Sequence, residues 1–222
     1  MAVSIAGDFA YDDAMLKLTL PTPRTLMLTG AAVLVVAALS AGGWYWRTVS
    51  QRHAMAAYAD ALTRAQPALG PQATADARAA GIRDLETALT QYPSGPGAAQ
   101  VAYELGNLRF DAQQYGQARG AWELAVAQGA PRTLKTLSQG GVAYTWEAER
   151  NYAKAVDAFK VALTGLGPKD FYYEDLLMGL GRTQELAGQK ADAIATYRRA
   201  LGELAQSRRV QEIKARLAAL GA

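Results

Sequence analysis

The sequence predicts an all-α protein, with one N-terminal transmembrane helix followed by a solenoid of helical hairpins. Three observations carry that expectation. A register recurs at Leu85, Trp122, Phe159 and Tyr197, spaced 37, 37 and 38 residues apart. Each of these residues follows a small residue by four places (Gly81, Ala118, Ala155, Ala193) and precedes an alanine by three (Ala88, Ala125, Ala162, Ala200). Self-similarity at such a period marks stacked supersecondary units. Second, Thr25 to Trp46 is a run of 22 residues without a charge. Third, the chain is half apolar with alanine leading, the best helix former. Its β-branched residues cluster mainly around Val33 to Val36, which leaves little for a large sheet.

Residues 1–24 read as a short tail, with Pro21, Pro23 and no sustained helical period, disordered or ordered by a partner. Residues 25–46 would make a helix about 33 Å long, enough to cross a hydrocarbon core of about 30 Å. Trp44, Tyr45 and Trp46 at its far end suit the headgroup level. A cleavable signal peptide, cut after Ser40 or Ala41, is the competing reading. The preceding segment carries Asp8, Asp12 and Asp13, unlike a short basic leader, so an uncleaved anchor is preferred. Lys17 and Arg24 precede the span, and Arg47, Arg52 and Arg64 follow it, so the positive-inside count does not decide orientation. Long C-terminal domains cross largely regardless of charge.

Residues 47–73 read as a helix continuing from the span to about 66, then a loop holding Pro67, Gly70 and Pro71. The solenoid is assigned to 74–207 and a C-terminal capping helix to 208–222. The clearest unit spans 105–131, where Leu105, Gly106, Phe110, Ala118, Trp122, Ala125 and Pro131 resemble the tetratricopeptide repeat pattern. Phe110 lies one place beyond the expected aromatic. In physical terms, Gly106 and Ala118 let two helices cross closely, Trp122 fills the wedge to the next hairpin, and Pro131 ends the second helix. The next unit keeps Ala155, Phe159, Ala162 and Pro168, with Val142-Ala143 in place of Leu-Gly. The third regains Leu180 and Gly181, followed by Ala193, Tyr197 and Ala200, and Asp170 is the expected N-cap of its first helix. The earliest unit keeps only Gly81, Leu85, Ala88 and Pro93, so the helix rising from the membrane is its expected partner. Leu85, Gly106, Trp122, Phe159, Gly181 and Tyr197 are thus the repeat-packing residues.

The resemblance implies a concave groove lined by the first helix of each hairpin. At i, i+4, i+7 spacing the groove candidates are Tyr103, Asn107 and Phe110, then Gly140, Tyr144 and Glu147, then Met178, Arg182 and Glu185. Aromatic, amide, thioether and charged groups together suit adaptable recognition of a polypeptide segment. Tyr103 and Phe110 equally suit the core between hairpins. A lysine–asparagine carboxylate clamp is disfavoured, since Asn107 alone fits one.

Chemistry is hard to place here. No cysteine is present, which removes disulfides and thiolate nucleophiles, and the single His53 rules out multi-histidine metal sites. Glu147 and Glu149, two apart on a helix, face different ways. Tyr92 to Gln100 lacks the Lys-Ser or Lys-Thr ending of a phosphate loop. A net charge of +3, evenly mixed, argues against nucleic acid. No enzyme, cofactor or metal is expected, and the expected partners are other proteins and the membrane.

The order of parts, and the stretch Gly43 to Leu62 with aromatics at the membrane exit before Ala57, Tyr58 and Ala61, resembles the ancillary-subunit (YfgM-like) family of the bacterial SecYEG translocon. That resemblance implies an inner-membrane protein with a cytoplasmic N-terminus and a periplasmic solenoid that meets secreted chains or chaperones. An accessory or assembly subunit of another envelope complex, respiratory or for cytochrome maturation, is the alternative.

Overall fold

The computed structural model describes residues 23–222, except for the side chains of Thr25 and Leu26. The tail expected over 1–24 therefore lies, but for its last two residues, outside the described residues. Among the described residues 78% are helical and none is in a strand, so the all-α expectation holds. The chain divides into two compact units between Thr48 and Val49.

Helix α1 runs over Pro23–Ala65, 43 residues. It continues unbroken through Gly42 and Gly43. A 3-10 turn at Gln66–Ala68 follows, where Pro67 has no N–H to extend the helix. In the first unit, residues 27–47 are exposed throughout, including Val33 to Val36 and the Trp44, Tyr45 and Trp46 rings. This helix is long and apolar enough to cross a membrane, with a mean hydropathy of 1.7 over an 18-residue window.

The second unit begins with the rest of α1, which buries Ala54, Tyr58, Ala61 and Ala65 at spacings of 4, 3 and 4. These residues share a core cluster with Ile82, Leu85, Ala88 and Leu89 of α2 (Ala75–Gln91). Tyr58 donates its hydroxyl to the Tyr92 carbonyl. Thr74 caps α2, its hydroxyl accepting from the Ala77 N–H at 3.2 Å.

Then come α3 (Ala98–Asp111), α4 (Tyr115–Ala127), α5 (Arg132–Ala148), α6 (Tyr152–Ala162), α7 (Tyr173–Leu186), α8 (Lys190–Glu203) and α9 (Val210–Ala219). From α2 onward each helix packs on the next, and α3 also packs on α5 and α5 on α7. The core falls into two clusters, one spanning α1 to α4 and the other α5 to α9. Trp122 belongs to neither cluster. A Cβ built on Gly106 of α3 would lie 2.4 Å from its indole nitrogen, and one on Gly141 of α5 would lie 2.8 Å from its ring. The indole is thus the seam between the two clusters.

The same device recurs in the later hairpins. Phe159 lies against Gly179 of the following helix, at 2.6 Å from a built Cβ, and Tyr197 lies against Gly181 at 2.6 Å. Leu85, Phe159 and Tyr197 are wholly buried. Trp122, Phe159 and Tyr197 therefore each fill space that a glycine vacates on a first helix.

The turns within the hairpins also keep the period. Gln113, Arg150 and Gly188 all adopt positive φ, at 59°, 60° and 74°. Two non-glycine residues thus occupy a left-handed position that glycine fills in the third turn. Gly188→Ala, where no atom would touch the added methyl, is expected to cost about 1 kcal/mol in chemical denaturation through backbone conformation alone.

Two expectations about helix ends are corrected. Pro131 does not end α4. The helix stops at Ala127, and Gly129 at φ 77° turns the chain, its N–H bonding the Val126 carbonyl at 3.1 Å. Pro131 instead stands at the N-cap of α5. Asp170 does not cap α7, which starts at Tyr173 after Tyr172 in the left-handed region (φ 69°). Its carboxylate accepts from the Gly167 N–H at 2.8 Å and pairs with Arg132 at 3.1 Å. The side chain ties its own loop to α5, so it is unavailable to the helix N-terminus.

Candidate functional site: two recesses sharing Tyr144

First-helix side chains of the hairpins converge on two adjoining recesses in the second unit. The larger, with a volume of about 410 Å³, is lined by Tyr103, Asn107 and Phe110 from α3, Trp122 from α4, Tyr144 and Glu147 from α5, and Tyr172. Their i, i+4, i+7 spacing brings α3 and α5 residues to one face. The aromatic rings are held by one another. Phe110 packs 5.5 Å from Tyr115 and 5.9 Å from Trp122, and Tyr144 meets Phe159 edge-on at 5.0 Å. Tyr172 stacks on Phe171, which is 65% exposed, and its ring covers Gly140, where a Cβ would lie 2.9 Å away.

The smaller recess, about 180 Å³, is lined by Tyr144, Asp175, Met178, Gly179, Arg182 and Tyr197, with Arg209, Glu212 and Arg216. Tyr144 is the wall common to both. Glu147 accepts from Thr183 at 2.5 Å and from Arg182 at 2.8 Å. Arg209 pairs with Asp175 at 2.8 Å. Glu185 accepts from the Tyr197 hydroxyl and faces Arg216 at 3.5 Å.

Of the groove candidates, Tyr103, Asn107, Phe110, Tyr144 and Glu147 come together in the first recess, and Met178 and Arg182 line the second. Met178 is only 7% exposed and belongs mainly to the core. Glu185 lines neither recess and acts behind the second through its Tyr197 and Arg216 contacts. Gly140 is closed off by Tyr172 and Leu176. Asn107 is engaged by Glu104 at 3.1 Å.

Sequence spacing missed Tyr172, Asp175, Arg209, Glu212 and Arg216. Tyr172 precedes its helix and reaches the face by a left-handed backbone turn. Arg209 and Arg216 come from the segment read as a C-terminal capping helix. The cluster of six basic residues from Arg198 to Arg216 was the available signal.

The phenols are neutral donors. Burial, with neighbouring Tyr172 next, pushes the Tyr144 hydroxyl well above the usual range, and burial followed by the Glu185 contact does the same for Tyr197. Burial and the hydrogen bond to Glu203 push Tyr173 up to about 12. Burial opposes the charge on Arg182, but Glu147 outweighs it and holds that pKa above normal. A phenol whose folded pKa is raised contributes stability that is fully present below its unfolded value near 10 and is lost as pH rises through the folded value. The thermal midpoint is therefore expected to stay flat from pH 7 to 9 and fall between about pH 10 and 12, with a smaller fall in Tyr173→Phe.

Fold and site together define an all-α protein of packed helical hairpins with an aromatic and arginine-lined face. No family model matches the chain, and no curated protein matches it.

Proposed function

We propose that this chain is a membrane-anchored, tetratricopeptide-like solenoid that binds a polypeptide segment across the face formed by α3, α5 and α7. The observation that carries this reading is the larger recess. Five residues spaced along one face each of α3 and α5 line a single concavity, together with two further aromatic rings. Such a surface offers apolar area with few, fixed polar groups, the usual make-up of a ligand site. The repeated aromatic-on-glycine wedges and left-handed turns support a solenoid of stacked hairpins. The exposed apolar length of α1, closed by its aromatic belt, supports a span over 25–46. The role is binding, without catalysis.

By resemblance in the order of parts, the protein sits in a bacterial inner membrane with its N-terminus cytoplasmic and its solenoid periplasmic. There it serves as an ancillary factor of the Sec translocon or its chaperones. A groove tethered beside an exit site works with weak contacts because tethering raises local concentration. Photo-crosslinking from position 144 or 182 in cells is expected to capture translocon subunits or emerging secretory chains. Capture of a respiratory or cytochrome-maturation subunit instead would reassign the partner while leaving the binding role intact.

A further inference from the structure

We propose that the larger recess receives a proline-containing stretch of the bound segment, its rings laid on the aromatic walls and its carbonyls held by tyrosine hydroxyls. This rests on the binding role given above and narrows its ligand. Tyr103, Phe110, Trp122, Tyr144 and Tyr172 bring five aromatic side chains to one concavity of about 410 Å³. The charges at its edge are already matched. Glu147 accepts from Thr183 on one oxygen at 2.5 Å and from Arg182 on the other at 2.8 Å. The Arg182 guanidinium lies 5.8 Å from the centre of the Tyr144 ring, so a cationic side chain brought to that ring meets a like charge. An acidic side chain meets Glu147. Neither sign of charge is therefore what the recess selects.

What it offers an occupant is apolar ring faces and hydrogen-bond donors. Burial keeps the phenols of Tyr103, Tyr144 and Tyr172 protonated. Asn107 donates toward the Tyr103 hydroxyl, and Tyr144 toward that of Tyr172. The protons of Tyr103 and Tyr172 are left for an acceptor on the ligand. Acceptors are scarcer, since both Glu147 oxygens are engaged. A peptide N–H pressed into this recess loses water and finds little in return, whereas a carbonyl finds donors. Proline has the carbonyl, lacks the N–H, and packs its ring on aromatic faces in a helix that is ordered before it binds. The aromatic surface also continues past the recess. Phe171, 65% exposed, stacks on Tyr172 with ring centres 5.9 Å apart. Arg132 pins its loop, meeting Asp170 at 3.1 Å and the Gly165 carbonyl at 3.1 Å. An exposed ring on a pinned loop loses little freedom when a partner covers it.

The test uses the full chain in detergent micelles and fluorescein-labelled twelve-residue peptides. One carries a Pro-Pro-Leu-Pro core, a second has alanine at each proline, and two more put Glu or Lys at the leucine of the alanine peptide. Fluorescence anisotropy is expected to show the proline peptide binding about tenfold tighter than the alanine peptide. Raising the salt to about 0.5 M NaCl is expected to change that preference less than about twofold, because no charge carries it. Phe171→Ala removes the exposed ring, and Tyr103→Phe/Tyr172→Phe removes two donors while keeping the ring faces. Each is expected to reduce the preference by about threefold or more. Thermal unfolding checks that both variants remain folded. Equal binding of proline and alanine peptides would overturn the proline preference and leave the polypeptide groove standing. Tightest binding by the Glu or Lys peptide would overturn it in favour of a charged ligand. A proline preference unchanged in both variants would place its site elsewhere and also overturn the proposal. Binding of no peptide to folded protein would overturn the proposal together with the binding role on which it rests.

Discussion

Trp122→Ala is expected to lower the stability of the full chain by about 3–5 kcal/mol, the usual cost of truncating a buried tryptophan to alanine. At this chain length that is a fall of roughly 6–20 °C in the thermal midpoint. The side chain is 4% exposed and fills the gap between α3 and α5 left by Gly106 and Gly141. Its loss leaves a cavity that backbone on both sides cannot easily close. The indole N–H has no hydrogen-bond partner although it is buried. Truncation therefore forfeits packing and no hydrogen bond. Trp122→Phe should accordingly cost much less than Trp122→Ala, since it also removes an unsatisfied donor. A midpoint for Trp122→Ala within a degree of the parent would show that the ring does not hold the hairpins together.

Gly106→Ala is expected to destabilise by about 1–3 kcal/mol although alanine is the better helix former. The added methyl would stand 2.4 Å from the Trp122 Nε1 and 2.5 Å from Cδ1, atoms of a rigid ring with nowhere to rotate. In a Trp122→Leu background the obstruction is gone. There the same substitution should become neutral or stabilising by up to about 1 kcal/mol, the helix-propensity gain alone. Chemical denaturation of the four proteins in this cycle gives the coupling directly. Additive effects would mean that Gly106 and Trp122 are not partners.

These pairings explain how much of the fold could be read from the chain. Trp122, Phe159 and Tyr197 were legible because a large side chain at a fixed period, with small residues at fixed offsets, has few structural meanings. The partner of Leu85 was legible for a different reason. Residues 47–66 lack a breaker before Pro67, and α1 indeed carries Tyr58 and Ala61 into the cluster around Leu85. Helix ends were less legible. Pro131 reads as a stop because proline cannot continue a helix, yet Gly129 had already turned the chain two residues earlier. Asp170 has the chemistry of an N-cap, but a distant cation, Arg132, competes for its carboxylate.

The candidate site was half legible. Tyr103, Asn107 and Phe110 follow one face of α3, and Tyr144 and Glu147 one face of α5, and periodicity finds such residues. Tyr172 and Arg216 join them from a loop and from the last helix, by contacts no local pattern encodes. Met178 satisfied the spacing and still lies in the core, because spacing fixes the face of a helix and not the depth of what covers it.

The division of the core into two clusters with one indole between them bears on how the second unit comes apart. Each cluster holds enough buried surface to form early, and neighbouring contacts dominate, so folding can begin in either half. Whether the halves then unfold as one or in turn depends on the coupling across α4 and α5, where Trp122 sits. A chain with a weakened seam would lose cooperativity before it loses helix. Its α2 and α8 amides would exchange hydrogen with separate free energies, where the parent is expected to show a common one.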